Sequence, residues 1–547
     1  MNIKFLISLL IIFIGFLSVQ AKIEFVNHDI DITNYNDDGS IIETNNGYVQ
    51  GLINPQYKSF FGIPFAKPPT TENGLRWKSP QVAENWSPKI LNASYNQMVG
   101  CIQKCELPPM NCPNIISEDC LYLNVFTPLD ISQTQLKPVM AYIPGGRFEQ
   151  GTASSILYTP ELMINSSDII VVTLNYRLGV SGFLVGEEIT GNFGFQDQRL
   201  ALTWIQENIK YFGGDPNKVT LCGQSAGASS IATHMTAKNS YSLFQGAIIQ
   251  SNPFTLGLKT LKTAKKYSDN FSKAVNCSLK DENCLNSLTI DQIIEGQIKS
   301  QAKLDVFEPL QSFLPWTPTI GIDDITDQPL NLFLKGDFYD VPTIVGTVSE
   351  EALLFIYQAS PKNVSETGYK LAIDLIFLDK EEVIEDNYPP FNNGSDNRPV
   401  LSTLGTNFIF TCPTRLAIES MLKYKQSPIY LYQFSHVMSF NPWGPNYPYC
   451  NNHCCHGSEL VFEFDAARYG GYNFTDDEQQ LSYEMNNYWT NFINNADPNQ
   501  GLSVPVQWPQ YDITNLQSLQ LDIPVSITTD LLGSQCNILD NVGYSPR

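Results

Sequence analysis

The sequence predicts an α/β fold with a mostly parallel central sheet flanked by helices. Short apolar runs recur along the chain, each stopped by Gly, Pro or a polar residue. Their apolar residues are continuous rather than alternating, which suits strands buried on both faces of a parallel sheet. Helical patterns lie between the runs, and alternation of strand with helix implies an α/β architecture. Composition agrees: of 547 residues, 43% are hydrophobic and only 16% charged. That is enough apolar chain for a large core and too little charge for a disordered one.

Taken in order, Pro138–Ile143 is an apolar run stopped by Pro144-Gly145-Gly146, and Asp168–Leu174 is the next. From Leu200 to Ile209, Leu200, Trp204, Ile205 and Ile209 share one face of a helix. Val219–Cys222 ends at Gly223, and Ala247–Ile249 ends at Gln250-Ser251. Val341–Val345, followed by Gly346, and Ile429–Phe434 complete the set. There is no internal repeat and no low-complexity linker. In such folds ligands bind beyond the carboxyl ends of the strands, so the residues just after each run carry the functional reading.

Residues 1–21 read as a secretory signal: Lys4, an apolar run from Phe5 to Val19, then Val19-Gln20-Ala21 as a small-residue cleavage site. The run of 15 residues is short of the roughly 20 needed to span a bilayer. Residues 22–547 are then expected to form a single domain, secreted or held in the lumen of a secretory or endolysosomal vesicle. Sequons at Asn92, Asn165, Asn270, Asn276, Asn363, Asn393 and Asn473 agree with export, while Asn85 in Asn-Trp-Ser-Pro is a doubtful acceptor. Twelve cysteines are expected mostly to pair in an oxidising lumen. Acidic residues outnumber basic ones 55 to 33, for a net charge of −22. That excludes the basic footprint of a nucleic-acid partner and disfavours anionic membranes.

Gly223-Gln224-Ser225-Ala226-Gly227 follows a predicted strand and opens a small-residue stretch that can start a helix. This is the G-x-S-x-G elbow, a turn so tight that glycines must flank the serine it exposes. The N–H of Ala226 is one candidate oxyanion donor. The Gly146 and Arg147 amides, on a loop after another strand, are the second set, because glycine permits the close backbone approach such donors need. The bland alternative at both places is a small-residue turn. Only five histidines occur: His28, His234, His436, His453 and His456. With serine, acid and histidine in that chain order, the base is His436, His453 or His456. The acid is Glu350 or Glu351, just beyond the Val341–Val345 run; adjacent glutamates also suit a solvated surface pair.

At this point the chain resembles the type-B carboxylesterases, the group that includes the cholinesterases and esterase-like crystal proteins. The resemblance rests on Phe61-Gly62-Ile63-Pro64-Phe65-Ala66-Lys67-Pro68-Pro69, Leu75-Arg76-Trp77, Ser117-Glu118-Asp119-Cys120-Leu121-Tyr122-Leu123-Asn124-Val125, the stretch Phe193–Gly227 and His456-Gly457-Ser458-Glu459-Leu460. It implies a single α/β-hydrolase domain, with Ser225 as nucleophile, Glu351 as acid and His456 as base. Gly146, Arg147 and Ala226 would supply the oxyanion donors. It also implies the disulfides Cys101–Cys120, Cys277–Cys284 and Cys412–Cys536. Cys105–Cys112 is a further expected loop, Cys450 is expected to join Cys454 or Cys455, and Cys222 is expected free in a buried strand. The reaction implied is hydrolysis of a small-molecule carboxylic ester through an acyl-enzyme, with no cofactor and no metal.

Three departures stand out. Arg147 occupies a place where the family has Gly or Ala, Pro144 replaces a usual His or Tyr, and no Trp lies between Cys101 and Cys120. The last removes the choline-binding aromatic that the cholinesterases carry there. Two other readings compete with the esterase: a catalytically silent adhesion, storage or crystal protein, and a metal site at Cys450, His453, Cys454, Cys455 and His456. The residue types of the latter suit zinc, but thiols in a secretory lumen more often oxidise than ligate.

Overall fold

A computed structural model describes residues 39–302, 308–391 and 395–544. The expected signal segment, His28 and Asn393 lie outside these described residues.

Eleven strands form one sheet. In chain order they are β1 (Leu52–Ile53), β2 (Tyr57–Pro64), β3 (Tyr122–Pro128), β4 (Lys137–Ile143) and β5 (Ile170–Leu174). Then come β6 (Gly214–Gln224), β7 (Gly246–Gln250), β8 (Thr343–Val348), β9 (Ile429–Phe434), β10 (Gln517–Leu521) and β11 (Ser526–Thr529). Across the sheet the order is β11-β10-β9-β8-β7-β6-β4-β5-β3-β2-β1. The stretch from β10 to β5 is parallel throughout. Antiparallel pairs close both edges. The sheet is therefore mostly parallel, and the chain has the α/β-hydrolase fold.

The apolar runs are continuous because both faces are covered. Along β4, Val139, Ala141 and Ile143 join a core with helices α1 (Phe193–Asn208) and α2 (Ala226–Thr236). Met140 and Tyr142, on the other face, join a second core with α4 (Asp476–Asn495). A short helix, α3 (Glu459–Glu463), sits in that second layer just after His456. The helical pattern predicted from Leu200 starts earlier, at Phe193. Its first turns carry buried Asp197 and Gln198, whose polarity hides the apolar face; Asp197 is there to bind Arg177 at 2.7 Å. The strand predicted to end before Gly346 runs on to Val348. Gly346 lies inside it because a side chain there would meet the Tyr432 ring of β9 at 2.1 Å.

Among the described residues no helix is long and apolar enough to cross a membrane. The structure joins Cys101 to Cys120, Cys105 to Cys112, Cys277 to Cys284, Cys412 to Cys536 and Cys450 to Cys455. Cys222 and Cys454 are free and buried. Asn92, Asn165, Asn276, Asn363 and Asn473 are exposed, and Asn270 is half-buried.

Candidate active site

β6 runs straight into α2, and the turn between them is the elbow. Ser225 has φ 59° and ψ −120°, a conformation that side chains seldom adopt and that marks stored strain at functional sites. The surroundings over-determine it. Its N–H donates to the Gln250 carbonyl of β7 at 2.9 Å, and its carbonyl accepts from Ser229 at 2.9 Å. Gly227 has no alternative at its place: a Cβ there would sit 2.0 Å from the Ile143 carbonyl oxygen at the end of β4.

That same strand end leads into the second loop. Gly146, Arg147 and Phe148 all have positive φ, at 112°, 63° and 60°. Phe148 is buried against Tyr176 and Phe183 and anchors the loop. Among the described residues the amides of Gly146 and Arg147 have no backbone acceptor. The Ala226 amide is at the first position of α2, where a helix leaves its N–H groups unpaired. A cavity of about 140 Å³ is lined by Gly146, Arg147, Ser225 and His456 together.

Glu351 follows β8 and is fully buried. Its Oε1 accepts from the Val348 amide at 2.9 Å, and its Oε2 lies 2.5 Å from His456 Nδ1. A carboxylate only accepts, so Nδ1 carries the ring proton and Nε2 presents its lone pair. That lone pair does not meet the serine in this structure. It accepts from the side-chain amide of Gln224, the residue before Ser225, at 3.1 Å. The imidazole packs against the stacked rings of Phe355 and Phe410, with centroids 5.0 and 5.2 Å away.

A second acid–histidine pair lies beside the first. Glu350 Oε1 is 2.7 Å from His453 Nδ1, and its Oε2 accepts from the Cys454 amide at 2.8 Å. Glu350 also forms an isolated bridge with Cys455. The adjacent glutamates thus differ, Glu351 being buried and Glu350 partly exposed, but each takes one of two histidines three residues apart. The third candidate base, His436, binds Asp522 and Glu478 instead, at 3.1 and 3.4 Å. Cys450 takes Cys455, and Cys454 turns into the core toward the Phe434 carbonyl. That bond removes two thiols the metal reading needed, and among the described residues no cluster of His, Cys, Asp and Glu is arranged to hold a metal ion.

Behind the site lie two buried acids that sequence reasoning passed over. Burial pushes the Glu459 carboxyl well above the usual range, and the charge of Glu351 adds to the rise. Burial also pushes Glu463 up to about 7, opposed by its hydrogen bonds from Gln250 and Cys222. Also missed were Gln224 on the imidazole and the Glu350–His453 pair; the expected Cys105–Cys112 loop is present and brings Leu107 and Met110 into the cavity wall. Two glutamates at 350–351 and two histidines at 453 and 456 held a usable signal for a second pair; nothing in the sequence points to Gln224.

The model of the Carboxylesterase family matches residues 38–539. The chain is 38% identical to the cAMP-regulated D2 protein of Dictyostelium discoideum over 98% of each chain. It is 36% identical to the Crystal protein of the same organism, over 99% of this chain and 97% of that one. A solved structure described as a thermophylic PNB esterase superposes with a TM-score of 0.79 at 28% identity, covering 91% of this chain and 99% of that one.

Proposed function

Since this chain belongs to the carboxylesterase family and is a carboxylic ester hydrolase, we propose that it cleaves small-molecule esters through Ser225, His456 and Glu351. His456 Nε2 exchanges the Gln224 amide for the Ser225 hydroxyl and takes its proton as Oγ attacks the ester carbonyl. The amides of Gly146, Arg147 and Ala226 receive the oxyanion. His456 then gives the proton to the leaving alcohol, and water enters by the same route to release the acid and free the serine. Glu351 fixes the imidazole tautomer and stabilises the imidazolium. The observation that carries this reading is the 2.5 Å Glu351–His456 contact, which leaves Nε2 on the elbow beside Ser225.

Residues 1–21 direct the chain into the secretory route, the remainder is one domain, and Asn92, Asn165, Asn270, Asn276, Asn363, Asn393 and Asn473 accept glycans. Five disulfides support an oxidising compartment. A second reading, a silent esterase-like storage or crystal protein, is favoured by the Gln224 amide on Nε2 and by the likeness to the Crystal protein. Short-chain aryl esters separate the two. The purified protein is expected to hydrolyse them, with Ser225→Ala lowering turnover by about three orders of magnitude or more. Equal turnover in the variant would remove Ser225 from the reaction.

A further inference from the structure

The cavity beside Ser225 is mostly apolar, with Leu107, Met110, Leu354 and Phe355 in its walls. Among the described residues that line it, Arg147 is the one permanent cation. Its backbone sits at φ 63°, where glycine is favoured, so the long side chain is held there against a conformational cost. Its guanidinium is under-used. Nη2 reaches Glu149 at 3.3 Å, and Glu149 is shared with Gln297. Nε is buried with no hydrogen-bond partner, although a guanidinium offers five donors and a buried unpaired one is costly. The carboxylate in the cavity lining, Glu106, is already bound to Lys104 at 2.5 Å. The charge of Arg147 is felt within the cavity: burial and Glu106 push the Tyr447 phenol up, and Arg147 opposes that rise.

We propose that Arg147 determines specificity by receiving a carboxylate carried on the acyl part of the substrate, so that the preferred substrates are half-esters of dicarboxylic acids. The leaving oxygen must face His456, which protonates it. Arg147 stands on the other loop, one residue past Gly146, and meets the acyl side. Nε is sealed from the cavity, but the side chain is 36% exposed and its Nη groups, held only by the 3.3 Å contact to Glu149, can take a substrate carboxylate in the charge-assisted geometry guanidinium favours. This inference rests on the hydrolase reading above.

The test compares p-nitrophenyl hexanoate with mono-p-nitrophenyl adipate, of equal acyl length, on the full purified chain with background hydrolysis subtracted. Wild-type kcat/KM is expected to favour the adipate. Arg147→Gln should cut that preference about tenfold or more, and Arg147→Lys should keep part of it. Because both esters use the same oxyanion donors, damage to the hole cancels in the ratio. A wild-type preference at or below unity overturns the assignment without any variant, as does an equal ratio in Arg147→Gln; in both cases cleavage of the hexanoate leaves the hydrolase reading standing. Failure to cleave either ester overturns both.

Discussion

The elbow and the histidine loop converge on one cavity but are built differently. The elbow is held by main chain: Ser225 is fixed by a bond to β7, and Gly227 is pressed against the end of β4 with no room for a methyl group. The histidine loop is held by side chains. Glu351 grips His456, Glu350 grips His453, and Cys450 ties to Cys455. The two regions therefore tolerate change differently. Backbone packing places Ser225, the proposed nucleophile, within tight limits, whereas His456, the proposed base, is set by a few separable side-chain contacts. Glu463 joins the two regions, since it lies on α3 yet accepts from Gln250 at 2.7 Å and from Cys222 at 3.5 Å.

This contrast can be broken from the loop side. The largest effect is expected from Glu351→Gln, which leaves the elbow intact but removes the group that fixes the Nδ1 proton. Turnover should fall by about 10⁴, with near-normal thermal stability; full activity would mean that the base is oriented by something else. Glu350→Gln is milder, because the Cys450–Cys455 bond and Glu351 still hold the loop. We expect kcat to drop about tenfold, the size of one charge-assisted hydrogen bond. A loss as deep as that of Glu351→Gln would show that the two acid–histidine pairs act as one unit.

The smallest effect concerns the junction. Glu463 is raised by burial from 4.5 to about 7, so the folded state holds this proton more tightly than the unfolded chain does. Its contribution is fully present below pH 4.5 and is lost as pH rises through about 7, amounting at most to roughly 3 kcal/mol. Glu463→Gln should therefore flatten the decline of stability between pH 5 and 7.5 relative to wild type, measured by denaturant unfolding. An unchanged pH slope would place the titration elsewhere.

What the sequence makes legible follows the same division. The parallel core strands announce themselves because both faces are buried, as in Ile170–Leu174. The last two strands do not: Gln517–Leu521 alternates buried Leu519 and Leu521 with half-buried Gln517 and Gln520, and the edge strand Ser526–Thr529 is short, polar and partly exposed, so no apolar run marks them. The elbow is readable because its glycines answer a local steric demand. Chain order narrows the base to three histidines and the acid to two glutamates, but the choice among them is readable only through the resemblance of His456-Gly457-Ser458-Glu459-Leu460, because the partners lie about 100 positions apart. The choice between Cys454 and Cys455 is invisible for the same reason. Adjacent residues point to opposite sides of the chain, one to β9 and one to Cys450, and only the fold decides which.

Covalent labelling decides whether Ser225 becomes nucleophilic because His456 can reach it from its perch on Gln224. A fluorophosphonate probe should modify the purified protein stoichiometrically, with the adduct mapped to Ser225 and lost in His456→Ala. An unlabelled folded protein, or an adduct at another residue, would contradict it.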